Sequence, residues 1–435
     1  MMKAPLLLSA LFLVAVPASA QTPSSDLSAT EVAADIAEWR DWLFATHPDP
    51  AFSMNVEAVN ARFDTLIAGL SGHYTRREAW IELAQMNPLF ADGHVAIRLP
   101  REDYDAWIAA GGAEFTLPVD VESERVFVAE TVSDTSAFRP GQEICTLNGQ
   151  PVDRLVQESL HRAHGDGIGL QTYIVETRFS QFLWGLTGGA DRWEVGLCTG
   201  GRQTLDPLRD VSVETHDQWA LDFRGDAAVL TLNTFAPTLE DPFKAFIDEA
   251  FAEIAAHGSD VLVIDVSANG GGAHQLSDHV FAYLSIQRHT PLSAVTARIT
   301  PENQALIPGS QLGQVISTPF AQWIEPPAEL ENRFEGEVGI LVGAGTYSQA
   351  IVFAATAQDF TIAPVAGPGT EGRANSTGQV QIHTLSHTGL EVGAPIYVFT
   401  RASGDTSSNP VIPDIPLEGP REEQIEALIA ALRTR

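Results

Sequence analysis

The chain is short of positive charge: 25 Lys and Arg stand against 56 Asp and Glu, a formal net charge of −31 over 435 residues. No run of Lys or Arg interrupts this excess. Binding a phosphate backbone or anionic lipid takes a basic stripe that releases counterions, so nucleic acid is not expected as a partner. Cysteine is scarce too. Cys145 and Cys198 are too few to frame a domain of this size or to make a zinc pattern, although a single disulfide is permitted in an oxidising compartment. Beyond the first twenty residues no apolar run approaches the roughly 20 residues that span a bilayer, so no membrane insertion is expected. Metal-ligand spacing is equally thin. His161 and His164 lie three apart and His274 and His279 five apart, with no His-Glu-x-x-His and no dense carboxylate cluster, so no metal and no other cofactor is expected. Internal repeats and low-complexity tracts are absent.

What remains is the composition of a globular protein, 44% hydrophobic and 19% charged, long enough for two or three domains. The N-terminus reads as an export signal: Lys3 supplies the positive region, Leu6 to Val16 the apolar run, and Ala18-Ser19-Ala20 a small-residue cleavage site. The mature chain is therefore expected to start after Ala20 and to be periplasmic or secreted.

Residues 21–110 read as a helical N-terminal domain. Val32, Ile36, Trp39 and Leu43 fall at helical spacing, as do Val56, Val59, Phe63, Leu66 and Leu70, and Thr75 with Glu78 makes a capping box. Trp39, Trp42 and Trp80 lie on these stripes and are expected in the core. Residues 111–225 change to short strand-like runs, Phe115 to Val119, Val126 to Ala129 and Glu143 to Leu147. The last of these ends in a tight Asn148-Gly149 turn before a helix from Val152. From 226 the pattern is α/β: a buried strand Ala227 to Leu232, a helix capped at Asp241-Pro242 and ended by His257-Gly258, and a second strand Val261 to Val266. A further strand, Val338 to Val342, runs through Gly343-Ala344-Gly345-Thr346-Tyr347 into a helix near Ser348.

Two places could carry chemistry. Asn269-Gly270-Gly271-Gly272 follows a buried strand, and its glycines can expose adjacent amides to an oxyanion or a phosphate; a plain tight connection reads the same. A P-loop would continue Gly-Lys-Ser or Thr, whereas this segment continues Ala273-His274-Gln275. Ser348 sits at a strand-to-helix turn, where it is either a nucleophile or an N-cap.

Taken in order, these segments resemble the tail-specific, or C-terminal-processing, serine peptidases, which include the tricorn protease core and a retinoid-binding-protein-like branch. Val261 to Gly272 is similar to that family's isoleucine-aspartate-leucine-arginine-x-asparagine-x-glycine-glycine element. Thr346-Tyr347-Ser348-Gln349-Ala350 is similar to its nucleophile turn, Gly369-Thr370-Glu371-Gly372 to its threonine-x-glycine turn, and Ile412-Pro413-Asp414-Ile415 to its closing motif. Arg139-Pro140-Gly141-Gln142-Glu143-Ile144 with Leu147-Asn148-Gly149 resembles a PDZ signature, with Gln142 where Asp is usual. Upstream, His47-Pro48 and Ala91-Asp92-Gly93-His94 resemble the helical N-terminal region of the exported tricorn-like and retinoid-binding-protein-like branches.

The resemblance implies a multi-domain α/β protein: a helical N-terminal domain, a PDZ-like β module and, over 226–435, a mixed-sheet core of the Clp/crotonase-like type. It implies a serine endopeptidase acting on polypeptides, with Ser348 as nucleophile and the amides of Gly271 and Gln349 as the oxyanion hole. A Ser-Lys mechanism does not fit, because Arg373 stands where that branch has its lysine and Ile351 where it has a glutamate. In the tricorn-like branch the base is an N-terminal histidine, and His94 occupies that position. The tricorn protease links its histidine to a glutamate through the preceding serine; Gly93 stands there instead, which leaves Glu371 and Asp92 as candidate orienting carboxylates. Arg373 would bind a substrate carboxylate or form a surface ion pair. Two other functions fit the same scaffold: a catalytically inactive relative that binds peptides or lipophiles, and a serine hydrolase of small esters or amides.

Overall fold

Two capping boxes start the N-terminal helices. Ser28 accepts from the Glu31 amide while Glu31 reaches back to the Ser28 amide at 2.8 Å, and Thr75 and Glu78 exchange the same pair of bonds. Helices Ala29–Thr46, Val56–Gly69 and Arg76–Leu83 follow, and Trp39 packs edge-on against Phe63 and Phe90 at 5.4 Å. Trp80 is buried with them, whereas Trp42 is only half-buried and stacks on the His383 ring. The computed structural model describes residues 26–212, 218–301, 303–320 and 322–435, so the export signal expected over residues 1–20 lies outside the described residues.

The architecture is multi-domain α/β, with this helical region followed by several β-sheets. The middle segment forms an antiparallel sheet in the order Val119–Glu122, Arg125–Val128, Glu143–Leu147, Glu194–Leu197, Arg202–Thr204. Asn148 and Gly149 both take positive φ in the hairpin that pairs Leu147 with Gln150, and helix Val152–Leu160 follows. The first expected strand lies later than the run Phe115 to Val119: Phe115 and Leu117 are buried but unpaired, and pairing begins at Val119. Helices Val152–Leu160 and Ile168–Thr177 pack on the sheet, and Phe179–Thr187 packs on those two helices. Cys145 and Cys198 are joined in a disulfide across neighbouring strands, 53 residues apart in sequence. Replacing both by serine is expected to lower stability by about 2–4 kcal/mol, read as an earlier urea midpoint that dithiothreitol reproduces in the unaltered chain.

The core is a six-stranded sheet in the order Trp219–Arg224, Ala227–Leu232, Val261–Asp265, Glu337–Leu341, Val365–Gly367, Ile415–Pro416. Only the first pair is antiparallel. Alternation along each strand feeds two cores. Leu262 and Ile264 pack with helices Glu240–His257, His274–Leu284 and Gln349–Asp359, while Val261 and Val263 pack against Ile425, Leu428 and Leu432 of helix Arg421–Leu432. Helix Glu240–His257 begins one residue before Asp241, which sits in the first turn and does not cap it; Gly258 ends it in the left-handed region.

A second sheet carries the arrangement that matters for function. Its order is Val315–Pro319, Leu292–Arg298, Glu391–Arg401, Thr377–Thr384, all antiparallel. The two-residue strand Ala96–Ile97, from the N-terminal region, pairs with Val392 and Gly393 of the long strand. That pairing brings a segment 254 residues upstream of Ser348 onto the core.

Candidate active site

Ser348 is the residue just before helix Gln349–Asp359, yet it does not cap it. Its backbone has φ 53° and ψ −121°, a region that non-glycine residues avoid, and its side chain makes no bond to the helix amides. The loop ahead of it is pinned: the buried Thr346 hydroxyl donates to Val266 O at 2.7 Å and accepts from the Gly343 amide, and the Tyr347 amide donates to Asn269 O. The hydroxyl turned away from the helix lies 3.1 Å from Nε2 of His94.

His94 is held from behind. Ala91, in the left-handed region at φ 47°, ends the short helix Asn87–Phe90 and turns the chain into Asp92-Gly93-His94. Nδ1 of His94 is 2.8 Å from the Thr377 hydroxyl, which lies 3.0 Å from both oxygens of the buried Asp92 carboxylate. The carboxylate accepts only, so the Thr377 hydroxyl donates to it and accepts from Nδ1–H. Nε2 is then left with its lone pair toward Ser348. Burial pushes the His94 ring below the ordinary histidine range, against the pull of Asp92 and Asp166 toward the charged form. Burial pushes the Asp92 carboxyl up, but His47, His94 and the His94 amide outweigh it and hold it below the usual carboxylate range. His47 is fully buried, with Nε2 3.9 Å from Asp92 and Nδ1 accepting from the Asp49 amide.

Asp166 ties four segments together. Its carboxylate accepts from the Tyr347 hydroxyl at 2.7 Å, the Gly93 amide at 3.0 Å and the Arg373 amide at 2.9 Å. Burial, with the Asp92 charge, raises it above the usual carboxylate range. The Tyr347 phenol, raised well above its ordinary value by burial and by Asp166, also accepts from the Gly93 amide. No side chain fits at Gly93, where a Cβ would sit 2.6 Å from Tyr347 Cζ. Gly93→Ala is therefore expected to displace the phenol and the adjoining His94. We expect kcat/KM and the rate of fluorophosphonate labelling to fall about ten- to a hundredfold, as for a roughly 1 Å misplacement of a reacting group.

The sequence-based assignments fare unevenly. Ser348, His94 and Asp92 converge; Glu371 does not. It is exposed and its carboxylate packs against Gly169, away from the imidazole. Arg373 is paired inside the protein: Nη1 donates to Ala91 O at 2.6 Å and lies 3.4 Å from the buried Asp166 carboxylate. The Gly271 amide, expected in the oxyanion hole, donates to Asn269 Oδ1 at 2.8 Å and is occupied. The glycine itself is required, since a Cβ there would fall 2.7 Å from Ser348 Cβ. Among the described residues no acceptor takes the amide of Gln349 or that of Gly270, which lines the cavity beside His94 and Tyr347. The sequence holds two lysines, Lys3 and Lys244, and Lys244 is paired with Glu240. His274 and His279 each bond a carboxylate of their own, Asp278 and Asp248. Thr377 and Asp166 escaped the sequence reading, and Tyr347 entered it only as part of the nucleophile turn, with no role of its own. No motif surrounds Thr377, and the one hint at Asp166 is its place between two glycines.

Residues 226–417 match the sequence model of peptidase family S41. No curated protein matches the chain. Solved structures share the fold at low identity. Mature CPAF complexed with lactacystin is 13% identical with a TM-score of 0.61, covering 93% of this chain and 96% of that one. The photosystem II D1 C-terminal processing protease is 16% identical with a TM-score of 0.51, covering 92% and 97%. A candidate peptidase of Parabacteroides merdae is 14% identical with a TM-score of 0.51, covering 93% and 96%.

Proposed function

We propose that this chain, whose core belongs to the serine peptidases of family S41, the tail-specific or C-terminal-processing peptidases, hydrolyses peptide bonds with Ser348 as nucleophile and His94 as general base. The observation that carries the reading is the 3.1 Å contact between the Ser348 hydroxyl and a His94 nitrogen whose partner nitrogen is already committed to Thr377. Ser348 Oγ attacks the scissile carbonyl as its proton passes to Nε2, and the imidazolium then returns that proton to the leaving amine. Water repeats the cycle on the acyl-enzyme. The developing oxyanion falls to the Gln349 amide, at the positive end of its helix, and to the Gly270 amide. Each such donor is worth about 3–4 kcal/mol in a well-studied protease. Asp92 acts through Thr377 to keep the ring in its tautomer and to stabilise the imidazolium.

The division into residues 21–110, a PDZ-like module at 111–225 that would guide substrate, and a Clp/crotonase-like core at 226–435 is part of the same proposal. So is export. The Cys145–Cys198 bond suits an oxidising compartment, and no described helix is long and apolar enough to cross a membrane. A fluorophosphonate probe followed by peptide mapping tests the reading. The expected result is one covalent adduct, on Ser348, together with cleavage of unfolded casein. A chain that takes no adduct is a binder, and one that labels but cleaves only activated esters is a small-molecule hydrolase.

A further inference from the structure

Beside the catalytic pair the charge of the molecule reverses. The chain carries −31 overall, yet the 660 Å³ cavity that opens at His94 and Tyr347 has four arginines in its wall and no Asp or Glu. Its volume is that of a site for a ligand or several peptide residues. Three of the arginines are answered by the protein. Arg162 holds Glu158 at 2.6 Å, Arg101 holds Asp105 at 2.7 Å, and Arg98 lies 3.8 Å from Glu391. The fourth, Arg178, makes no ion pair and no side-chain hydrogen bond with any described residue, and it stands open to the cavity at the joint between helices Ile168–Thr177 and Phe179–Thr187. His164 reports the same field. It lines the cavity, its buried Nδ1 has no partner among the described residues, and burial followed by the Arg178 charge pushes it down to about 3.

We propose that Arg178 forms an anion subsite that selects polypeptides carrying a glutamate or aspartate side chain within a few residues of the scissile bond. This deepens the peptidase reading and rests on it. A guanidinium left without a carboxylate offers a planar fork of donors that a carboxylate satisfies two at a time. The rest of the wall favours a side chain over a chain terminus. Leu170, Ile174 and Phe182 give a methylene stem an apolar track. Two polar neighbours are committed to the protein: Asn87 bonds the Ile97 amide and carbonyl and Arg162 O, and the Thr177 hydroxyl bonds Tyr173 O. A glutamine of the same shape would meet the guanidinium without the charge-assisted pair, so the site favours the carboxylate over the amide.

Acetylated and amidated hexapeptides, alanine apart from one Glu or one Gln scanned through each position, test this. Binding is measured to the Ser348→Ala chain, and cleavage by the unaltered one. At one or two positions Glu is expected to beat Gln by about tenfold or more in both measurements, the span of a charge-assisted hydrogen bond. Arg178→Gln should bring the ratio near one, and Arg178→Glu should turn the preference to Lys. Equal ratios in the unaltered chain, a ratio untouched by Arg178→Gln, or a Glu preference seen only when the same peptides are made with a free C-terminal carboxylate overturns the subsite. Glu-selective binding without any cleavage or labelling overturns the peptidase reading and leaves the subsite standing.

Discussion

Ser348→Ala is expected to abolish fluorophosphonate labelling and to lower kcat/KM for peptide cleavage by about 10⁴- to 10⁶-fold, with His94→Ala close behind. The two losses should not add. When nucleophile and base act as one unit, removing either forfeits the shared step, so the double variant should be no slower than the worse single one. A His94→Ala chain that keeps its labelling rate within about tenfold would remove the imidazole from the mechanism. Stability separates this loss from misfolding. The Ser348 backbone sits at φ 53°, where only glycine is at ease, so Ser348→Gly should be as dead as the alanine variant yet more stable by about 1–3 kcal/mol. An inactive variant with a raised melting temperature cannot owe its inactivity to unfolding.

The same backbone angle marks where the sequence could be read and where it could not. A strand, a glycine-bearing loop and an apolar helix follow one another from Glu337 to Asp359, and that succession is local, so the turn at Ser348 was visible in it. Its geometry was not. Whether a serine before a helix caps it or faces away depends on tertiary contacts, here the bonds that tie Thr346 to Val266 and Tyr347 to Asn269. Asp92 and His94 stood out through their motif. The hydroxyl that joins them did not, because Thr377 opens a strand of the second sheet and meets them only after Ala96–Ile97 has paired with Val392 and Gly393. The Gly271 amide failed for a smaller reason: the Asn269 side chain folds back onto it, a local bond that spacing alone does not reveal. Helices Ile168–Thr177 and Phe179–Thr187 went unread because they meet at Arg178 without a side-chain cap to start either one.

Thr377 gives the sharpest test of how the imidazole is held. In Thr377→Val the shape is nearly kept, but Nδ1–H of His94 and both Asp92 oxygens lose the hydroxyl that joins them. The ring is then free to take the wrong tautomer, with its proton on Nε2. We expect kcat to fall by about 10²- to 10⁴-fold, the upper end being the loss when the orienting carboxylate of a comparable triad is made neutral. Thr377→Ser keeps the hydroxyl and should restore most of the rate, an outcome that a purely structural role for the methyl group would not give. The pH profile separates the relay from the charge. With His94 as the proposed base the ring must be neutral to act, and burial holds it below the ordinary range, so the acid limb of kcat/KM should have its midpoint below about 6.5. The Asp92 charge opposes that shift by favouring the protonated ring. Asp92→Asn should therefore move the limb to still lower pH while cutting the plateau, whereas Thr377→Val, which leaves the charge in place, should cut the plateau and leave the limb nearly where it was. An acid limb that moves upward in Asp92→Asn, or a full rate in Thr377→Val, would mean that the carboxylate does not act on the imidazole through this hydroxyl.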